Sequence, residues 1–294
     1  MATDTHPATR GPGYAGRPIT KPPDWHGLVA WDMMLNNLTA GLFLVAALGE
    51  LAMPRTFAPV ASAAYPIALG LLLLDLLFLT LDLGDPWRFH HMLRVFKPSS
   101  PMSLGTWSLT VYSLPLTIIV ATELWSFMPA AGGTVAWIRT VALASGLLPA
   151  IAVAVYKGVL LSTTAQPGWK DARCLGAYLA NAAVMLGCAE LLALAVALGQ
   201  SAAEVLRPTL LVLLMMNAIP VCLLLREVQP TLRRRYSRPR AVWLGALVLG
   251  GGMFVPLCLL AGTGNAAATL IAVALILLSS VVARFVIVAI PQPS

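Results

Sequence analysis

Apolar residues run through this 294-residue chain in long stretches, interrupted by Pro, Gly and charge rather than by regular alternation. Read against that punctuation, the pattern predicts eight helices, at residues 28–51, 62–83, 104–128, 135–162, 172–198, 203–227, 241–261 and 267–290. Each is long enough to cross a hydrocarbon core of about 30 Å at about 1.5 Å per residue. In lipid the backbone must satisfy its own hydrogen bonds, which favours helices, and the absence of period-two alternation argues against a barrel. The expectation is an all-α polytopic membrane protein. Residues 1–27 form a polar leader and residues 28–290 a membrane domain, with eight helices that can divide into two four-helix bundles. Most connections are short; the longer ones are 84–103 and 228–240.

Composition agrees with a lipid setting. The chain is 59% hydrophobic and only 11% charged, with a mean hydropathy of +0.82, whereas soluble domains carry roughly 25% charged residues. The leader contains no apolar core of the kind a cleavable signal peptide needs. Cys174, Cys188, Cys222 and Cys258 are scattered, with no C-x-x-C pair, so neither zinc nor an iron–sulfur cluster is expected. The four histidines, His6, His26, His90 and His91, all lie outside the middle of a span, which argues against a membrane haem. With no metal site and no redox centre expected in the chain, electron chemistry would require a diffusible ligand or a partner's centres.

Charge predicts orientation. The face holding the amino terminus collects Arg10, Arg17, Lys21, Arg88, Arg94, Lys97, Lys157, Lys170, Arg173, Arg226, Arg233, Arg234, Arg235, Arg238 and Arg240. The opposite face has Arg55, Arg139 and Arg207, and Arg284 lies inside the last span. Fifteen against three puts both termini in the cytoplasm, in the inner (plasma) membrane of a bacterium. A net charge of +7 suits anionic lipid or an acidic partner. Nucleic acid is not expected, because the arginines crowd a short interhelical turn whose ordinary role is topology.

Ionisable residues inside spans are costly and mark candidate function. Asp75 and Asp82 lie seven apart on one face of the second span, with Asp82 nearer its cytoplasmic end. Asp32 and Asn36 share a face of the first span beside Asn37, while Tyr156 and Lys157 close the fourth span. Polar groups from three helices at one depth suit a head-group pocket opening into an apolar cleft. A quinone fits it: its carbonyls need donors such as Asn, His, Tyr or Lys, and its reduction consumes two protons. The same residues could instead tie helices together. Glu50 and Glu123 are expected near the far face with Glu190 deeper in the fifth span, and the three are read as interfacial helix ends rather than as a proton half-channel.

The 84–103 connection mixes aromatics, cations and histidines, and its Arg88, Phe89, His90, His91, Arg94 and Lys97 form a candidate docking surface or lid. From Leu81-Asp82-Leu83-Gly84-Asp85-Pro86-Trp87-Arg88-Phe89, through Met92-Leu93-Arg94-Val95-Phe96-Lys97-Pro98 to Ser100-Pro101-Met102-Ser103, it resembles the NrfD/PsrC family. That family comprises the membrane subunits of polysulfide-reductase-like respiratory complexes. Gly16-Arg17-Pro18-Ile19 with Lys21-Pro22-Pro23 and Trp25, and Tyr156 with Gly158-Val159-Leu160-Leu161-Ser162, agree with it.

The resemblance implies an eight-helix anchor that binds menaquinone or ubiquinone. It would exchange electrons with an iron–sulfur, ferredoxin-like subunit, itself beside a molybdopterin-type catalytic subunit. It also implies a quinone pocket whose positions are matched here by the Asp32–Asn37 stretch, Asp82 and Tyr156. The residues themselves add His26 and Lys157 to the pocket of Asp32, Asn36, Asn37 and Tyr156, with Asp82 or Asp75 relaying protons, and Lys157 is unusual for the family. Asn36-Asn37 stands where relatives carry small residues, and Asp85 where they carry a basic one. Relatives dock an extracytoplasmic partner on this loop face, whereas the charges here predict a cytoplasmic one. The rival reading is a proton or small-solute transporter. Pro66, Pro115, Pro149, Pro220 and Pro256 interrupt or begin spans, but neither an inverted repeat nor a midplane pair of broken helices is evident.

Overall fold

A computed structural model describes residues 27–125, 133–262 and 264–291, and among these eight helices are long and apolar enough to cross a membrane. They are α1 (Gly27–Ala52), α2 (Pro54–Leu81), α3 (Pro101–Trp125), α4 (Gly133–Ser162), α5 (Leu175–Ala197), α6 (Ala202–Arg235), α7 (Arg238–Gly262) and α8 (Ala266–Ala289). A short 3-10 helix, Pro86–Leu93, lies between α2 and α3. No strand occurs among the described residues.

Two boundaries depart from expectation. α2 starts at Pro54, so Met53 alone separates it from α1. Proline in a first turn has no hydrogen bond to lose, and its fixed φ suits a helix start. α6 runs on to Arg235, which shrinks the expected 228–240 connection to Tyr236 and Ser237. Its last turn holds Arg233, Arg234 and Arg235, cations that a helix carboxyl end favours. α7 changes its winding, being π-helical over Ala246–Phe254. Ser279 of α8 donates to the Val248 carbonyl at 3.0 Å within that stretch, meeting a polar group that lipid would leave unsatisfied.

The spans pack as two rings of four. α1 touches α2 and α4, α3 closes the first ring against both, and α5, α6, α7 and α8 repeat the arrangement. α1 also packs on α5 and α8, so it stands at the middle of the protein, 83% of its apolar window being buried against 17% for α7. The seam works because two glycines meet there. A Cβ on Gly41 would stand 1.9 Å from the Ala183 carbonyl oxygen, and one on Gly187 would stand 2.0 Å from that of Gly41. Small residues that let backbones touch are what binds helices in lipid, where apolar side chains gain little from leaving the solvent.

The first ring is filled by Phe43, whose ring centroid lies 6.1 Å from Tyr65 and 5.4 Å from Tyr112. At the membrane end away from the 3-10 helix, Arg139 of α4 pairs with Glu50 of α1 and Glu123 of α3, each at 2.7 Å. Tyr65 of α2 donates to Glu50 at 2.7 Å. Glu50 and Glu123 therefore tie four helix ends together, while Glu190 stands apart with a buried, unpartnered Oε2.

Candidate functional site

Three helices of the first ring bring Asp32, Asn36, Asp75 and Lys157 into one buried cluster. Their exposures are 3%, 1%, 0% and 6%, low enough that every charge must be met from within. Lys157 Nζ of α4 pairs with Asp32 Oδ2 of α1. One turn along α1, Asn36 Nδ2 donates to Asp32 Oδ1 at 2.8 Å and to Asp75 Oδ1 of α2 at 3.0 Å. The i, i+4 spacing of Asp32 and Asn36 is what puts both on the face that α2 and α4 enclose.

The donors do not cover the acceptors. Asp75 Oδ2 and Asn36 Oδ1 are buried without a partner. The carboxyls of Asp32 and Asp75 are bridged by the one Asn36 amide, so one proton on the pair supplies a donor that the set otherwise lacks. Two carboxyls against one ammonium are also electrically neutral only with one such proton. The cluster is thus neutral when it holds one proton.

Tyr156 sits at the rim of this cluster, 8% exposed, with the Lys157 ammonium 5.1 Å from its ring centroid. Its ring lies where Gly105 of α3 leaves room, since a Cβ there would come within 2.3 Å of the Tyr156 ring. Beside Gly105, an apolar cavity of about 220 Å³ opens between α2, α3 and the 3-10 helix, lined by Leu76, Leu79, Leu109, Phe89, Met92 and Leu93 among others. Its hydroxyls, on Thr80, Thr106, Thr110 and Ser113, are engaged with carbonyls of their own helices. The wall therefore behaves as apolar and suits a hydrocarbon chain.

Other sequence candidates fall elsewhere. Asp82 caps the end of α2 and is exposed, seven residues from Asp75, roughly 10 Å along the helix. Asn37 is buried, but its amide donates to the Ala154 and Leu179 carbonyls at 3.2 and 3.3 Å, which makes it a clamp between α1, α4 and α5. His26 lies outside the described residues. Arg88, Phe89, His90, His91, Arg94 and Lys97 all lie exposed along the 3-10 helix and the turn after it, with Trp87 85% exposed beside them. They are surface, available to a partner, and separate from the buried cluster.

Sequence reading passed over Arg284 as a site residue. It is fully buried in α8 and reaches across the seam to Asn37 Oδ1 at 2.8 Å, with the Ser280 carbonyl at 3.2 Å and the Tyr178 hydroxyl at 3.4 Å. A cation in the last span was itself the signal. Its meaning emerges from a repeat. Arg284 stands five residues from the end of α8 as Lys157 does in α4, and Tyr178 stands nine before Gly187 as Asp32 does before Gly41. Asn217 of α6 stands nine after Pro208 as Asp75 does after Pro66, and it accepts from Asn181 of α5 at 2.8 Å. The second ring thus keeps the cation but carries Tyr178 and Asn217 where the first has carboxyls, and Ala182 and Ala183 where it has Asn36 and Asn37, so it cannot hold a proton in the same way.

Known proteins resemble this chain at two levels. A family model described as polysulphide reductase, NrfD, matches residues 20–292. A 110-residue stretch is 30% identical to a selenate reductase subunit of Mesobacillus selenatarsenatis, covering 37% of this chain and 25% of that protein. The aligned part is therefore about a quarter of that relative's length.

Proposed function

The chain belongs to the polysulphide reductase NrfD family, a multi-pass membrane protein, and from that premise we propose that it is the quinone-reactive anchor of a respiratory oxidoreductase complex. Quinone is the substrate, drawn from the lipid phase, and its interconversion with quinol moves two electrons and two protons. The observation that carries the reading is the orphan pair of acceptors beside the Asp32–Lys157 ion pair. These atoms call for a proton, and Tyr156 stands at the rim of the cluster, packed on Gly105 next to the cavity-lining Thr106.

In this reading the hydrocarbon tail lies along the cavity beneath Phe89, Met92 and Leu93. The Tyr156 hydroxyl donates to a quinone oxygen, and the Lys157 ammonium pairs with the neighbouring Asp32. Protons pass between Asp32 and Asp75, with Asn36 holding both carboxyls in register. Electrons reach the quinone from an iron–sulfur partner seated on the exposed face of Arg88, Phe89, His90, His91, Arg94 and Lys97. That partner would belong with a molybdopterin-type catalytic subunit. The selenate reductase relative supports a reductase complex in a general sense.

Replacing Tyr156 by Phe removes one hydroxyl and leaves the ring seated on Gly105. Quinone turnover by the purified complex is expected to fall about 10- to 100-fold, the worth of one well-placed hydrogen bond in a dry site. Unchanged turnover would remove Tyr156 from the pocket.

In this reading the docking face is cytoplasmic, which the excess of basic residues on that side supports. Alkaline phosphatase fused at Tyr236–Ser237 should then be inactive in cells, and green fluorescent protein at the same site fluorescent; the reverse pattern would turn the protein over in the membrane.

A further inference from the structure

The second ring holds a cavity of about 150 Å³ that the proposed quinone chemistry does not use. It runs between α5, α6, α7 and α8, with walls that include Leu175, Val221, Leu224, Val248, Leu249 and Ile287. Trp169 is among the lining residues, fully buried and donating to the Ile287 carbonyl at 2.7 Å. Along α6 the lining extends from Val221 to Leu232, roughly 16 Å by helix rise. Leu225 and Leu249 remain 40% and 37% exposed on its outer side, so the space opens sideways toward lipid.

One end of this apolar space meets a concentration of charge. Leu232, Tyr236 and Ala241 line it, and interleaved with them at the end of α6 and the start of α7 stand Arg233, Arg234, Arg238 and Arg240. These four are exposed and form no ion pair among the described residues. A greasy slot ending under unpaired guanidinium groups at a membrane boundary has the polarity of one kind of molecule: an amphiphile with an anionic head and a hydrocarbon tail. The second ring offers such a ligand no carboxyl at the places where the first has Asp32 and Asp75.

We propose that this is a built site for one anionic phospholipid, with its phosphate on the Arg233–Arg240 turn and an acyl chain in the slot between α6 and α7. Guanidinium groups suit it because they meet phosphate oxygens in a two-point fork. The slot explains why lipid is favoured here over an acidic protein: a protein face would use the arginines and leave the cavity empty.

The test uses the full chain in mild detergent, stripped of lipid and titrated with dioleoyl-phosphatidylglycerol, dioleoyl-phosphatidylcholine or inorganic phosphate while retained mass is read by native mass spectrometry. One phosphatidylglycerol should be retained per chain, at least about tenfold more tightly than phosphatidylcholine, with no retention of phosphate alone. Equal retention of the two lipids would overturn the head-group assignment. Gly245 lines the slot and a Cβ there meets open space, so Gly245→Phe should fill it and lower phosphatidylglycerol retention about tenfold. Should that variant fail to fold, Arg233→Gln, Arg234→Gln, Arg238→Gln and Arg240→Gln together change only exposed side chains and should erase the preference between lipids. Retention unaffected by the arginine changes, loss of a co-purified protein with lipid binding intact, or a quinone in place of the phospholipid would each overturn the proposal.

Discussion

Asp75→Asn is expected to reduce quinone turnover by about 100-fold or more while the complex still assembles. The change keeps the side chain's shape and still offers an oxygen to Asn36, which now donates to Asp75 Oδ1 at 3.0 Å. What it removes is the capacity to take up a proton at a fully buried position. General acid–base groups typically contribute about 10²- to 10⁴-fold, so the loss should stand well clear of a packing effect. Asp82→Asn serves as the comparison. Asp82 lies exposed at the end of α2, so its replacement should leave turnover near that of the parent protein. The measurement is quinol oxidation or quinone reduction by the purified complex, with partner recovery read on the same preparation. A fully active Asp75→Asn together with an inactive Asp82→Asn would move the relay to the mouth of the site.

Lys157→Met is expected to cost stability, by about 3–5 kcal/mol, because it leaves Asp32 as a buried charge with no cation. Asp32 is 3% exposed and its only ion-pair partner among the described residues is Lys157. The effect should appear as a lower unfolding temperature in detergent and poor recovery from membranes. Adding Asp32→Asn to the same chain should restore most of the stability, since a neutral pair of side chains in this space lacks the desolvation penalty. The double variant should nevertheless remain inactive, because Asp75 has then lost the carboxyl with which it shares a proton. Unchanged melting of the single variant would mean that water reaches Asp32 in the working protein. Recovery of turnover in the double variant would remove the ion pair from the mechanism.

These two variants separate what the residues do from what they hold up. Asn37 and Arg284 belong to the second category. Arg284 donates to Asn37, and Asn37 in turn holds carbonyls on α4 and α5, so the pair fastens the two rings at the depth of the buried cluster. Arg284 meets amide, phenol and carbonyl oxygens through its two terminal nitrogens while its Nε is buried without a partner, and an intramembrane Arg held in this way is a strut rather than a counter-ion.

How far the sequence could reach depended on the distance over which each feature is decided. Eight spans were legible because a hydrocarbon layer sets a minimum length for any apolar helix, and that length is written in consecutive residues. The shared face of Asp32 and Asn36 was legible for a similar reason, since helical periodicity relates positions one turn apart. The 84–103 loop was recognisable from its run of residues alone. At Pro54 and at Arg233–Arg235 the local signals suggested loops, but a proline can begin a helix and arginines can end one, so chemistry that breaks a helix inside lipid extended it at the boundary.

Only the tertiary structure could put Asp75 rather than Asp82 in the buried cluster, because both lie on one face of α2 and membership depends on where α1 and α4 cross it. The clamp role of Asn37 and the reach of Arg284 join residues 247 positions apart, a separation no local pattern encodes. The repeat between the rings was hidden for a related reason: matching places hold Asp32 and Tyr178, Asp75 and Asn217, Lys157 and Arg284, so similarity survives in position while the side chains differ. The sequence alone therefore determined that the chain crosses lipid eight times with a polar group at one end of several spans. The packing decided which of those groups meet, because in a bundle held by close backbone contact the crossing points, here Gly41 on Gly187, set every side chain's neighbours at once.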